Sequence, residues 1–280
     1  METVAIVGVG LIGGSFGLAL KKAGFGGTVL GVSSQGALEA ALARGAIDAG
    51  APLAEAAARA DLIYLAQPIG RILDTLHHLD AMVRPGALVT DAGSTKHAIV
   101  TLARTALRRA QFLGGHPLAG KERRGVEAAD ADLFAGRTWA LTPADPRELE
   151  TPPARDFLSW LERLGARVVV LGAAEHDGIV AYTSHLPQLA STALAATVAD
   201  HVTAEENLQV SGTGLADTTR LALSAYELWR DILATNAESI DEALTAYIGE
   251  LEHLRENLRT RQMQEEFERA AKLAGRLRGR

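Results

Sequence analysis

The chain has 280 residues, 48% of them hydrophobic and 22% charged, with a formal net charge of −6 and no cysteine. That composition supports one large or two ordinary globular domains and excludes a disordered chain. The absence of a long basic block argues against nucleic acid as a partner. The absence of cysteine excludes disulfides, thiolate catalysis and Cys-based metal sites, and fits a reducing cytoplasm; no metal site is expected.

The first element sits in Thr3 to Leu20, a run without charge that approaches the length of a membrane helix. Its five glycines, and the lack of a preceding basic residue, make it a buried strand, a turn and a helix closed by Gly24. No membrane span is expected. The alternation then repeats, with strand candidates at 28–32, 61–66, 87–91, 111–115, 138–142 and 166–171. Helical patterns separate most of them, for example 70–80, 95–109 and 154–164. Strand, helix, strand in this rhythm predicts an α/β unit with a parallel sheet covered on both faces.

After Leu171 the strands stop and the pattern is nearly all helical, which divides the chain into 1–172 and 173–280. Apolar positions 240, 244, 247, 248, 251, 254 and 258 form one helix face, and Ser239 with Glu242 has a capping-box spacing. That stripe can serve as intrachain core or bury itself against a second subunit. The last 22 residues, 259–280, carry seven Arg or Lys against three Glu and read as a solvated helix end.

Gly8, Gly10, Leu11, Ile12 and Gly13 span a G-x-G-x-x-G that follows a strand and opens a helix. In that setting Gly8 permits a tight turn and Gly10 lets a pyrophosphate approach the backbone. Gly13 lets helix and strand pack closely, and the helix N-terminus supplies N–H groups and a positive dipole end. Where the second strand ends, Ser33 and Ser34 replace the acidic residue that NAD sites commonly use. Loss of that carboxylate tilts the cofactor from NAD toward NADP, although no arginine follows directly. Gln67 and Pro68 end the next strand, and "TDAGSTK" with Ser94 ends the one after. Both loops, with that of His116, are expected beyond the carboxyl ends of the strands, where ligands of open α/β sheets lie. Ser94 could also cap a helix beginning near Thr95. His116, in "GGHPLAGKERRGVEAAD", is either a base or a polar strand end, with Glu122 as a candidate partner.

With "GVGLIGGS", "DAGSTK", "GGHPLAGKERRGVEAADADLFAGRTWALTP", "TSHLPQ" and "WRDI" in that order, the chain resembles the prephenate/arogenate dehydrogenase family of tyrosine biosynthesis. The resemblance runs over roughly residues 1 to 260. It implies a Rossmann-type nucleotide-binding domain followed by an all-helical dimerisation domain, a homodimer, and NADP or NAD as cofactor. It implies oxidative decarboxylation of a small cyclohexadienol, prephenate or arogenate. By the same resemblance His116 is the catalytic histidine and Ser94 hydrogen-bonds the substrate hydroxyl. Arg220 holds a substrate carboxylate, His185 is a second active-site histidine, Glu122 lies near the substrate side chain, and Asp177 lies near the domain junction. Trp229 is core or a wall of the substrate pocket. Pro187, beside His185, either kinks a helix or sits in its first turn. The basic Lys121, Arg123 and Arg124 are expected to neutralise Glu122 in part. Ser224, in place of a carboxylate near Arg220, tilts the substrate to prephenate. A β-hydroxyacid dehydrogenase would use a lysine base in the helical part, and no lysine lies between Ala173 and Leu258. A non-enzymatic nucleotide sensor would need the glycine loop but not His116, Ser94 and Arg220 together.

Overall fold

The computed structural model describes residues 1–260 and 262–279. The seven expected strands form as β1 (Thr3–Val7), β2 (Thr28–Val32), β4 (Leu62–Leu65), β5 (Leu88–Asp91), β6 (Gln111–Pro117), β7 (Thr138–Thr142) and β8 (Arg167–Val170). A two-residue strand that the pattern did not signal, β3 (Ala49–Gly50), adds an edge. All belong to one sheet in the order β3-β2-β1-β4-β5-β6-β7-β8.

Two features depart from the expected all-parallel sheet. β7 runs antiparallel to β6, although β8 again runs parallel to β7. β6 also extends through Pro117, so His116 lies inside a strand opposite Ala140, not in a loop beyond it. The reason is an exchange of partners. The parallel ladder with β5 ends at Thr90–Leu113, and the antiparallel ladder with β7 begins at Gly114–Thr142 on the other side.

Helices cover both faces. On one, Phe16, Tyr64, Phe134, Trp139 and Phe157 form a buried aromatic group, with Phe16 and Tyr64 ring centres 4.4 Å apart. On the other, Ile72, Leu76 and Leu79 from the helix Ile69–Leu79 pack with Ile99 and Ala103 from the helix His97–Ala106. Burying such side chains stabilises by roughly 1.5–3 kcal/mol each. The glycine turn is packed as tightly: Gly8 has φ +96°, and a Cβ on Gly13 would lie 2.2 Å from the Gly8 carbonyl oxygen.

From Ala173 onward every element among the described residues is helical. Its first helix, Ala173–Val180, passes through a π-helical turn, Ala181–His185, into Leu186–His201. Pro187 therefore follows the π-helical turn closely, and that turn is where the continuous run accommodates the missing N–H. The Ser239–Glu242 capping box does not form, because the helix starts two residues earlier and spans Ala237–Asn257. At its N-cap, Asn236 uses its side chain elsewhere, donating to the carbonyl of Asp177 at 2.8 Å. Along that helix Ile240 and Ala243 are buried, whereas Ile248, Leu251 and, at the C-cap, Leu258 are exposed. Of the basic tail, Arg261 and Arg280 lie outside the described residues. Among the described residues no helix is long and apolar enough to cross a membrane.

The two parts meet through capping contacts. Asp177 accepts hydrogen bonds from the backbone N–H groups of Lys96 and His97, and Asp231 accepts one from Gly70. Each carboxylate sits at the positive end of a helix of the other part, worth on the order of 0.5–2 kcal/mol.

The close fit at the glycine turn carries a prediction. Gly13→Ala should lower the urea midpoint, by about 1–3 kcal/mol of stability, because the new methyl has nowhere to go. An unchanged midpoint by circular dichroism would show that the turn can yield.

Candidate active site

Two adjoining cavities lie at the carboxyl ends of the strands. The first, about 780 Å³, is lined by Gly8, Gly10, Ser33, Ser34, Gln67 and Pro68, with Arg71 and Glu127 among the other walls. A Cβ added at Gly10 would meet nothing within 4 Å, so the backbone there is open to a ligand. The helix Leu11–Lys22 begins at that point with no acidic residue in its first turn. This cradle fits a dinucleotide: the open Gly10 backbone and the helix N-terminus suit a pyrophosphate. Gly13 lines neither cavity and acts by packing.

The second cavity, about 480 Å³, shares Gln67 and Pro68 with the first and is lined by Leu11, Ile12, Gly93 and Ser94. Its opposite walls come from the Lys121 to Gly125 stretch and, from the helical part, Glu227, Leu228, Asp231 and Ile232. Ser94 does not cap the helix that follows it. That helix starts at His97, and the carboxylate of Asp177 satisfies its first N–H groups instead. The Ser94 hydroxyl makes no hydrogen bond among the described residues.

His116 has a partner with no signal near it in the sequence. Its Nδ1 lies 2.9 Å from Nε2 of His176, and Nδ1 of His176 lies 2.8 Å from Oδ1 of Asp177. His176 and Asp177 are both buried. Glu122, the expected partner, instead faces Arg220 at 3.8 Å, with both side chains largely exposed. Lys121 is engaged by Asp130 at 2.8 Å. The partner of Glu122 is thus Arg220 of the helical part, not its basic neighbours in sequence. The pair stands beside the second cavity, whose wall includes both neighbours of Glu122.

With both rings neutral, the two contacts admit one pair of tautomers. A carboxylate can only accept, so His176 carries its proton on Nδ1 and leaves Nε2 as an acceptor. His116 must then donate from Nδ1, which leaves its own Nε2 with a free lone pair. Burial holds His116 well below its ordinary pKa, reinforced by the neighbouring His176, Lys96 and His185. The ring is neutral, as a base must be before it acts.

Behind His116 lies a fully buried ion pair. Lys96 donates to Asp91 and to the Gly115 carbonyl at 2.8 Å, while Asp91 accepts from Gly93 at 2.8 Å and Gly115 at 3.0 Å. The Asp91 side chain thus ties β5 to β6 one step past the end of their ladder, beside His116. His185 is buried on the π-helical turn, 3.3 Å from Asn236 through Nδ1, with Trp229 packed edge-on at 5.9 Å. Trp229 also packs against the core that includes Ile69 and Ile232, so it serves as core at the domain junction.

A sheet of this order, a glycine cradle at its carboxyl edge and an oriented neutral imidazole near the end of β6 define a dinucleotide-dependent dehydrogenase. Two family profiles match: "Prephenate dehydrogenase, nucleotide-binding domain" over residues 16–170 and "Prephenate dehydrogenase, dimerization domain" over 172–273. The chain belongs to the prephenate dehydrogenase family. The prephenate dehydrogenase of Lactococcus lactis is 33% identical over 258 residues, covering 91% of this chain and 70% of that protein. The crystal structure of prephenate dehydrogenase from A. aeolicus, in complex with hydroxyphenyl propionate and NAD+, has a TM-score of 0.88 at 30% identity, covering 100% of this chain and 98% of that one. The Synechocystis arogenate dehydrogenase structure has a TM-score of 0.81 at 32% identity, covering 99% of each.

Burial pulls His185 from 6.5 down to about 4, against the opposing pull of Asp177. On acidification the unfolded chain therefore binds this proton first. The associated stability is complete above about pH 6.5 and is lost progressively toward pH 4, on the order of 3 kcal/mol. Urea midpoints measured at pH 7 and 4.5 should fall less in His185→Gln than in the parent protein. An equal fall in both would show that His185 does not carry this dependence.

Proposed function

We propose that the protein oxidises prephenate with loss of carbon dioxide to give 4-hydroxyphenylpyruvate, passing a hydride to NADP or NAD, in tyrosine biosynthesis. The observation that carries this reading is His116, held neutral by burial and bonded through Nδ1 to His176 at 2.9 Å. The nicotinamide, when bound, accepts the hydride from the ring carbon bearing the hydroxyl. His116 takes the hydroxyl proton at Nε2, and Ser94 orients the same hydroxyl. Arg220 binds a substrate carboxylate, a task suited to a guanidinium fork. For that it must exchange its long contact with Glu122, which an exposed pair does at little cost. His185 and Trp229, packed edge-on at 5.9 Å, support the site from behind without lining either cavity. Departure of the ring carboxylate makes the ring aromatic, so the protein's part is orientation and acceptance of one proton.

Gly8, Gly10, Leu11, Ile12, Gln67 and Pro68 hold the dinucleotide, with Ser33 and Ser34 at its adenosine ribose. Arg71 lines the same cavity as those serines and supplies the positive charge that the sequence beside them lacks. This supports NADP as the preferred cofactor. The helical part forms the homodimer, a reading supported by exposed Val210, Leu223 and Leu258 and by the half-exposed stripe on Ala237–Asn257. A cysteine-free chain of this kind would work in the cytoplasm.

One observation favours arogenate as the substrate. Ser224 stands near Arg220 without a charge, but Glu227 and Asp231 line the second cavity and could face an amino group. Prephenate and arogenate should each be assayed against NAD and NADP at 340 nm. Turnover of prephenate with NADP is expected to dominate; turnover of arogenate alone selects the second substrate, and none in all four combinations rejects the reading. His116→Asn should lower kcat by roughly 10²–10⁴-fold with the dinucleotide still bound.

A further inference from the structure

We propose that His116 works as the outer member of a proton relay, in which His176 is the final acceptor of the proton and Asp177 holds the resulting charge. The inference rests on His116 being the base and assigns roles to two residues that need not touch the substrate. The distances are 2.9 Å from His116 Nδ1 to His176 Nε2 and 2.8 Å from His176 Nδ1 to Asp177 Oδ1.

The balance is simple. The substrate hydroxyl proton goes to Nε2 of His116, and the Nδ1 proton of His116 goes to Nε2 of His176. The O–H electron pair becomes part of the new carbonyl while the hydride leaves the same carbon. His116 ends neutral with its proton on Nε2, and His176 ends as an imidazolium. Nothing in the relay is oxidised or reduced.

The surroundings decide where the charge rests. His116 is faced by the Lys96–Asp91 pair from the end of β5, by His176 and Asp177 from the helix Ala173–Val180, and by His185 from the π-helical turn. The Lys96 ammonium and burial oppose a cation on His116. A cation on His176 lies directly against a carboxylate. Asp177 is held in place for that role by the two backbone N–H groups it accepts. The helical part therefore sets both the tautomer of the base and the destination of its proton.

His176→Gln separates relay from orientation. A glutamine amide can accept from His116 and donate to Asp177, so it can preserve the alignment, but it cannot take a proton. The relay requires kcat to fall about 100-fold, with KM for prephenate and the Kd for the dinucleotide within about threefold of the parent protein. The acid limb of the kcat profile should also move at least one pH unit lower. Unchanged kcat and acid limb in His176→Gln would overturn the relay and leave His176 a positioning residue. Loss of activity with the dinucleotide no longer bound overturns it as well, since His176 would then be structural. If the variant does not fold, ring ¹⁵N shifts of the parent protein on acidification decide the matter. His176 should become the imidazolium while His116 switches its proton from Nδ1 to Nε2 and stays neutral; an imidazolium at His116 overturns the proposal. Full turnover in His116→Asn would instead reject the base assignment itself.

Discussion

One buried carboxylate organises the centre of this molecule. Asp177 accepts hydrogen bonds from the N–H groups of Lys96 and His97 and from the ring of His176. A carboxylate removed from water is costly unless its lone pairs are engaged, and here three donors engage them. The same contacts do three jobs. They close the open end of the helix His97–Ala106, dock the helical part on the sheet, and set the proton position on two imidazoles. The backbone carbonyl of Asp177 adds a fourth tie, through Asn236, to His185.

The sheet supplies the other half of the arrangement. β6 changes partners midway, and Gly114 and Gly115 lie at the change. A Cβ at Gly115 would come 2.7 Å from the Asp91 carbonyl oxygen, so only glycine allows this approach. The Asp91–Lys96 pair fills the space beyond the end of the β5 ladder and fixes the strand one residue before His116. The His116 imidazole is thus held from below by a strand and from the side by a helix, which restricts it more than a loop would.

Much of this was legible in the chain. The alternation of short β-branched runs and helices, the glycine turn after β1 and the loss of strands after Leu171 carry local signals, and each reads directly. What was not legible depends on residues far apart in sequence. The antiparallel turn of β7 has no local signature. Ser94 has the right type and place for a cap, yet Asp177, 80 residues from His97, takes that role. Ser239 and Glu242 have capping-box spacing, but a helix already buried at Ile240 begins earlier. Glu122 is near His116 in sequence, whereas His176 is 60 residues away and touches it. The "EHD" triplet just after the last strand was the available clue, since an imidazole next to a carboxylate at a domain junction seldom serves only as surface. Lys96 closed a motif read for its serine, and its burial is a property of the assembled sheet.

The capping of Gly70 by Asp231 bears on how separable the two parts are. A nucleotide-binding unit of this order is often treated as a portable cassette. Here the helices that follow β4 and β5 both have their first N–H groups satisfied by the neighbouring part, and so does the imidazole of β6. Severed at the junction, the unit would keep its sheet and glycine turn while two of its helix starts, one of them at the wall shared by both cavities, lost their caps. The boundary near Leu171 is therefore one of architecture only. In energetic terms the carboxyl edge of the sheet belongs to both sides of it.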